Sequence, residues 1–423
     1  MRSSPLIRFK NDTDLWMNSE IFKLMYWNKT FSNVSPAMQN QINEYKTNIT
    51  AKKLESLNLG KGNIKLLSTG NFEGFTTTQK CKNIYDEGEV ITLPSGGTAN
   101  IKYYNGKFIS SGNYLAKSYS NVSPKFLYYH LKNIQNQIEG FFRGSSIKHP
   151  EMQDVFSINV LHPKYDIQTK IETFHTNLDS LIEQKFKELE KIKKHKQSML
   201  NKMFPKKGST VPEIRFDEFE SVWKSDKFGS LFDKLSNNTF SRNQLNYKDG
   251  LVKNIHYGDV LIRYGFAIDI ESTIVPFINS DVELINFKQE SYLKTGDIVF
   301  ADTAEDTTAG KMVEIYNELE IPTLSGLHTY PCRPLVDFEK GYLGIFMNTN
   351  HFHDQLIPYM QGSKVTSFNF EFLTRTLVSY PDKTEQKKIV DFFSNLDKLI
   401  FSQEREVQTL KHLKATLLSK MFA

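Results

Sequence analysis

The chain has 423 residues, room for roughly two or three domains, and its 39% hydrophobic and 24% charged residues suit a globular protein. Its two cysteines, Cys81 and Cys332, fall in opposite halves, which excludes a disulfide framework and a cysteine-based metal site and fits a reducing compartment. No apolar run approaches the roughly 18 residues of a membrane span, and a formal net charge of +5 pulls only mildly toward an anionic partner.

The opening stretch is mixed and polar, without the pattern of a signal peptide. Ile7-Arg8-Phe9, Trp16 and the run Asn28 to Ser32 follow. The centre of the first half then reads as β-structure. Gly88 to Pro94 predicts a strand. Ile101 to Tyr104 and Lys107 to Ser110 flank Asn105-Gly106, a strong hairpin signal. Residues 140–148 contain Arg143, Gly144, Ser145 and Lys148 beside aromatics. Such a small basic loop either approaches a phosphate backbone and reaches a base edge or simply leads into the next strand.

A long helix is predicted next. Ile171, Leu178, Lys185, Ile192 and Met199 recur every seven residues, with a second apolar series at Phe174, Leu181 with Ile182, Leu189 and Met203. Two apolar positions per heptad over about five heptads is the pattern of helices that wrap on one another. Nine lysines and only two acids, Glu188 and Glu190, lie between Lys185 and Lys207. They form either a solvated face or a contact for phosphate or an acidic protein.

The chain then repeats itself. Ile214-Arg215-Phe216 and Trp223 match the opening at an offset of 207, and Asn237 to Ser241 match at 209. Gly258 to Arg263 and Gly296 to Phe300 each predict a strand after a Gly-Asp turn. Gln361, Gly362, Ser363 and Lys364 lie opposite the earlier loop at an offset of 218. Pro381, Gln386 and Ile389 match Pro163, Gln168 and Ile171, and Lys420-Met421-Phe422 match Lys202-Met203-Phe204, all at 218. In the second helix the heptad series is Ile389, Leu396, Gln403, Leu410 and Leu417, flanked by Phe392, Leu399 with Ile400, Val407, Leu413 and Met421. Asp382 with Glu385 predicts a capping box. Lys185 and Gln403 occupy the same level of the two seams, where a polar residue fixes register. Two copies are too few for a solenoid; the pattern is that of a duplicated domain with similar ends and divergent centres.

Catalytic signatures are missing. There is no phosphate-binding Gly-x-x-x-x-Gly-Lys loop, no dinucleotide fingerprint and no Asn-Pro-Pro-Tyr type box. Asp382, Glu385 and Lys387 mimic a nuclease motif but fall within one helical turn. His351 and His353 do not make a metal site without further ligands.

The paired Pro-x4-Gln-x2-Ile helix openings, the Leu-x-x-Met-Phe helix endings and the repeated Ile-Arg-Phe…Trp openings resemble, over the whole length, the specificity subunit of type I restriction-modification systems. Ile167 departs from the pattern, where Glu is usual. The resemblance implies an α+β fold: two similar mixed α/β target-recognition domains separated by two long antiparallel coiled-coil helices in a pseudo-two-fold internal repeat. The implied divisions are recognition domains at 1–162 and 208–380 and spacer helices at 163–207 and 381–423. It implies a cytoplasmic, non-catalytic DNA reader in phage defence that recognises a bipartite double-stranded target with a fixed gap. It implies two modification subunits as partners, and restriction subunits besides. S-adenosylmethionine, ATP and magnesium are then expected on those partners, with no cofactor or metal in this chain. Arg143, Lys148, Arg242 and Lys364 are the first candidate DNA contacts, and Lys102, Tyr103 and Tyr104 the next. Two other readings are a self-contained restriction-methylation enzyme and a coiled-coil adaptor that never touches DNA.

Overall fold

The computed structural model describes residues 5–10, 12, 15–39, 45, 49–206, 208–271, 273–284, 287–362 and 365–422. The chain divides into two compact units, Met1–Phe186 with Arg405–Ala423, and Lys187–Glu404. Each unit combines one head with a stretch of both long helices.

Those helices span Tyr165–Lys202 and Lys383–Met421, 38 and 39 residues, or about 57 Å each at ~1.5 Å per residue. In the first unit Asp179 meets Lys414, and Lys185 meets Glu406 at 3.0 Å. In the second Lys193 meets Glu404 at 2.7 Å, and Lys196 meets Asp397. Numbers rise along one helix as they fall along the other, so the pair is antiparallel. Asp179–Lys414 and Asp397–Lys196 are also the same ion pair built twice, because each partner is shifted by 218 residues.

The covered seam runs through Ile171, His175, Leu178, Ile182, Lys185, Leu189, Ile192, Lys196 and Met199, and through the residues 218 further on. The heptad reading differs at one flank. Phe174, Leu181, Leu399 and Leu413 are exposed, and the seam passes one position later. Residues three and four beyond a seam position flank it on opposite sides, and only the partner helix decides which is covered.

The helix-to-head junction is also duplicated. Gln168 is buried; its amide donates to Pro163 O at 2.9 Å while its carbonyl accepts Ser123 N at 2.9 Å. Gln386 donates to Pro381 O at 3.0 Å and accepts Glu339 N at 2.9 Å. This clamp is the reason for Pro-x4-Gln. The helix ends are tied alike: Ile7 N donates to Lys420 O, and Ile214 N to Lys202 O. Met17–Glu20 pairs with Asn159–His162 and Lys224–Lys227 with Leu377–Tyr380, both antiparallel. Aromatics complete each joint. Trp16 meets Phe126 at 6.5 Å, and Phe126 meets Phe422 at 5.2 Å. Trp223 meets Tyr342 at 6.4 Å, and Tyr342 meets Phe204 at 6.2 Å.

Glu385 corrects the capping box. Asp382 does accept Glu385 N at 2.9 Å, but the Glu385 carboxylate turns away to Arg215, at 2.8 and 2.7 Å. A buried carboxylate gains more from a bidentate guanidinium than from a single backbone N–H. The repeated Arg of Ile-Arg-Phe is thereby explained in the second unit.

The heads differ. The first carries a six-stranded sheet in the order Met25–Trp27, Asn113–Ser118, Asp86–Pro94, Lys102–Ser110, Ile64–Leu67, Glu73–Thr76. Only Ile64–Leu67 and Lys102–Ser110 run parallel. Leu127 and Leu131 of the helix Pro124–Asn133 share one core with Ile91, Leu93 and Trp27. Asn105-Gly106 is not a hairpin turn: Lys102–Ser110 is one strand, and Gly106 faces Gly88 across the ladder with φ of +135° and +123°. Two glycines opposite each other let the ladder continue where side chains would be strained. The second head has a five-stranded sheet ordered Phe232–Lys234, Thr329–Pro334, Ile298–Ala301, Met312–Ile315, Ala267–Ile268, and a separate four-stranded one. Gly296 to Phe300 does enter a strand. Gly258 to Arg263 does not: Tyr257–Ile262 is a helix. His256 Nδ1 caps it by accepting Gly258 N at 3.1 Å, and the buried Asp259 pairs with two arginines.

Candidate nucleic-acid interface

The first head carries the predicted basic loop as a tight hairpin, and the second pairs the same flanking positions. In the first, Phe142–Arg143 pairs with His149–Pro150, Arg143 opposite His149. In the second, Gln361 bridges Ser367, the same positions plus 218. The turn glycines are obligatory. Gly144 and Gly362 have φ of +136° and +117°, and a Cβ would lie 2.5 Å from Ile147 O and 1.8 Å from Val365 O. Ser145, Ser146, Ile147 and Lys148 form an exposed tip. Gly97 N donates to Lys148 O at 2.8 Å, tying that tip to the loop after Pro94. Lys148 and Arg143 thus sit together at the surface. Arg143 is bent back, donating to Gly140 O and to Phe142 O. Lys364 and Ser363 lie outside the described residues.

The other candidates fall into different surroundings. Lys102 Nζ donates to Ser68 O at 2.8 Å and Gly70 O at 2.5 Å, and burial lowers its pKa. The Tyr103 hydroxyl donates to Glu89 Oε1 at 2.6 Å; burial and that carboxylate raise its pKa. Tyr104 packs edge-on against Phe108. All three hold the first head together, and binding DNA through Lys102 or Tyr103 would mean breaking an internal bond first. The register candidates divide too. Lys185 pairs across to Glu406, whereas Gln403 Oε1 is buried without a hydrogen-bond partner. Among the described lysines between 185 and 206, Lys185, Lys193, Lys196, Lys202 and Lys206 take carboxylates of this chain, so much of the basic run neutralises neighbouring acids.

Arg242 is the best-organised candidate. It grips Asp259 in bidentate fashion, NH1 to Oδ2 at 2.8 Å and NH2 to Oδ1 at 3.0 Å, and NH1 also donates to the Tyr247 hydroxyl at 2.9 Å. Asp259 is fully buried. Arg263 approaches the same carboxylate at 3.3 Å and donates to the Tyr247 hydroxyl at 2.8 Å. Sequence reading missed Arg263 and Tyr247. A signal existed: Asp259 and Arg263 are four apart, the spacing of a helical ion pair.

No catalytic or metal constellation accompanies these groups among the described residues. His351 and His353 each give a ring nitrogen to a backbone carbonyl, Asn201 O and Ala309 O, both at 2.8 Å, and no group of three potential ligands converges. Among the described residues no helix is long and apolar enough to cross a membrane.

Comparison with known proteins agrees with this picture. The chain is 22% identical over 345 residues, 79% of its own length and 78% of the relative's, to the type I restriction enzyme MjaVIII specificity subunit of Methanocaldococcus jannaschii. Its fold matches the S subunit of a type I restriction-modification system from M. genitalium with a TM-score of 0.56 at 15% identity, over 99% of both chains. A second structure, from work on complex assembly and conformational transition of the type I R-M system, matches with a TM-score of 0.55 at 14% identity, over 96% and 97%. The model of the type I restriction modification DNA specificity domain matches twice, at residues 39–194 and 220–412. With both halves covered, the chain belongs to the type I restriction-modification DNA specificity family, whose domains recognise DNA targets.

Proposed function

We propose that this chain is the non-catalytic reader of a type I complex and binds a bipartite target, one half-site per head, with a gap fixed by the paired helices. The duplicated junction carries the reading. The same glutamine clamp, helix-end bond and cross-helix ion pair occur in each unit, while the heads attached to them differ in sheet order. Equivalent mounts with unlike heads suit the reading of two unlike sequences. Two modification subunits using S-adenosylmethionine, with restriction subunits using ATP and magnesium, would supply the chemistry in the cytoplasm. Arg143 and Lys148 serve as contacts of the first head and Arg242 of the second.

Methylome sequencing of a host expressing the chain with its modification subunits tests this directly. One split motif with a constant gap is expected; methylation without any sequence preference refutes it. Inserting one heptad into both helices should lengthen the gap by about 3 base pairs, at ~1.5 Å per helical residue and ~3.4 Å per base pair. An unchanged gap rules out the helices as spacer.

A further inference from the structure

We infer that Arg242 is a preset guanine-reading fork in the second head, buttressed by Asp259, Tyr247 and Arg263. The inference rests on the function proposed above and adds the base that this head selects.

Charge comes first. One carboxylate needs one guanidinium, yet Asp259, fully buried, holds two, with side chains 42% and 47% exposed. The surplus positive charge faces solvent. A purely structural pair would have no use for it.

Rigidity follows. The Tyr247 hydroxyl accepts from both arginines, at 2.9 and 2.8 Å. The Arg263 guanidinium lies over the Tyr247 ring, 5.0 Å from its centroid. Both long side chains are therefore fixed before any ligand arrives, which removes most of the ordering cost that flexible arginines incur on binding.

The donors decide the ligand. Asp259 and Tyr247 take both NH1 hydrogens of Arg242 and one on NH2. The Nε hydrogen and the second NH2 hydrogen have no partner among the described residues. These two point the same way from one edge of the planar group. Two parallel donors match O6 and N7 of guanine in the major groove, and no other base edge there offers two acceptors in that position.

The surroundings favour base reading over phosphate attraction. Next to Arg263, Ile262 is 81% exposed. The adjoining groove is lined by Tyr257, Leu261, Thr303 and Val365 but also by Glu305 and Asp306. Two carboxylates oppose a diffuse pull on phosphate, whereas a directional pair of hydrogen bonds survives them. The first head has Asn33 at the position matching Arg242, and its amide donates to Glu151 at 3.1 Å.

The test uses the full chain assembled with its modification subunits. Arg242→Lys keeps the charge beside Asp259 and removes the two-donor edge. Methylome sequencing and binding to a randomised DNA pool should show guanine preference lost at one position of one half-site. The original target should bind about 10–100-fold more weakly, with the other half-site unchanged. Three results overturn the inference: an unaltered preference at every position, a uniform loss across all sequences, or a wild-type half-site without any G·C pair. If Arg242→Lys fails to assemble, Arg242→Gln, which leaves Arg263 beside Asp259 and also lacks the two-donor edge, carries the test by the same loss of guanine preference. A wild-type complex that methylates no defined site would instead refute the function proposed above.

Discussion

The two units share one junction but fill it with different chemistry. In the second, Arg215 and Glu385 form a buried ion pair, and Phe346, Tyr380 and Phe393 surround the helix end. In the first, the position of Glu385 is Ile167, which joins the apolar cluster of Trp16, Ile171 and Phe422. The three aromatics become His130, His162 and His175. His175 still stacks on Phe422 at 6.1 Å, as Phe393 stacks on Phe204 at 6.2 Å, and Ser19 meets His162 where Asp226 meets Tyr380. Shape is held in both copies and polarity is not. The joint is specified by aromatic packing and the glutamine clamp, and the charged pair is an embellishment of one copy.

The largest expected effect breaks that embellishment. Glu385→Ile copies the first unit's residue into the second and leaves Arg215 buried without its carboxylate. Unfolding of the second unit, followed by hydrogen exchange, should become easier by about 3–5 kcal/mol. Adding Arg215→Met should recover most of it. A loss below about 1 kcal/mol in the single variant would show that the pair holds nothing together.

Next in size is the histidine cluster. Both ring nitrogens of His175, and Nδ1 of His130 and of His162, are buried without hydrogen-bond partners. Burial pushes His130 and His175 down to about 4, against about 6.5 in an unfolded chain. The unfolded chain therefore binds protons first. Stability of the first unit is full above about pH 6.5 and falls as pH drops toward 4, while the second joint, built of Phe and Tyr, lacks this loss. His175→Phe should stabilise the first unit at pH 5 by on the order of 1–2 kcal/mol and flatten its pH profile. An equal acid loss in variant and wild type would remove His175 from the account.

The smallest effect concerns the repeated ion pair. Lys414→Ala and Lys196→Ala should each cost about 0.2–1 kcal/mol, since both pairs are partly exposed. Double-mutant cycles with Asp179 and Asp397 should return similar coupling. Unequal couplings would mean that the duplicated contact is geometric only.

Much of this was legible beforehand, for a physical reason. Long helices write a seven-residue period into the chain, and duplication writes the same junction twice, so the matches at 218 marked both. The read-out of single elements failed where local signals had two solutions. Asn105-Gly106 suits a turn, yet Gly88 opposite Gly106 carries a straight strand. Gly258-Asp259 suits a turn into a strand, yet Arg242, 17 residues earlier, pairs with Asp259 on a helix.

The sequence by itself determined the duplication, the antiparallel-compatible heptads and the family, because repetition and periodicity are one-dimensional properties. Tertiary structure alone decided which helix flank is covered, which lysines are neutralised and which arginines share a carboxylate. Those outcomes depend on partners brought together by folding, and burial makes an unsatisfied charge costly enough to choose between them.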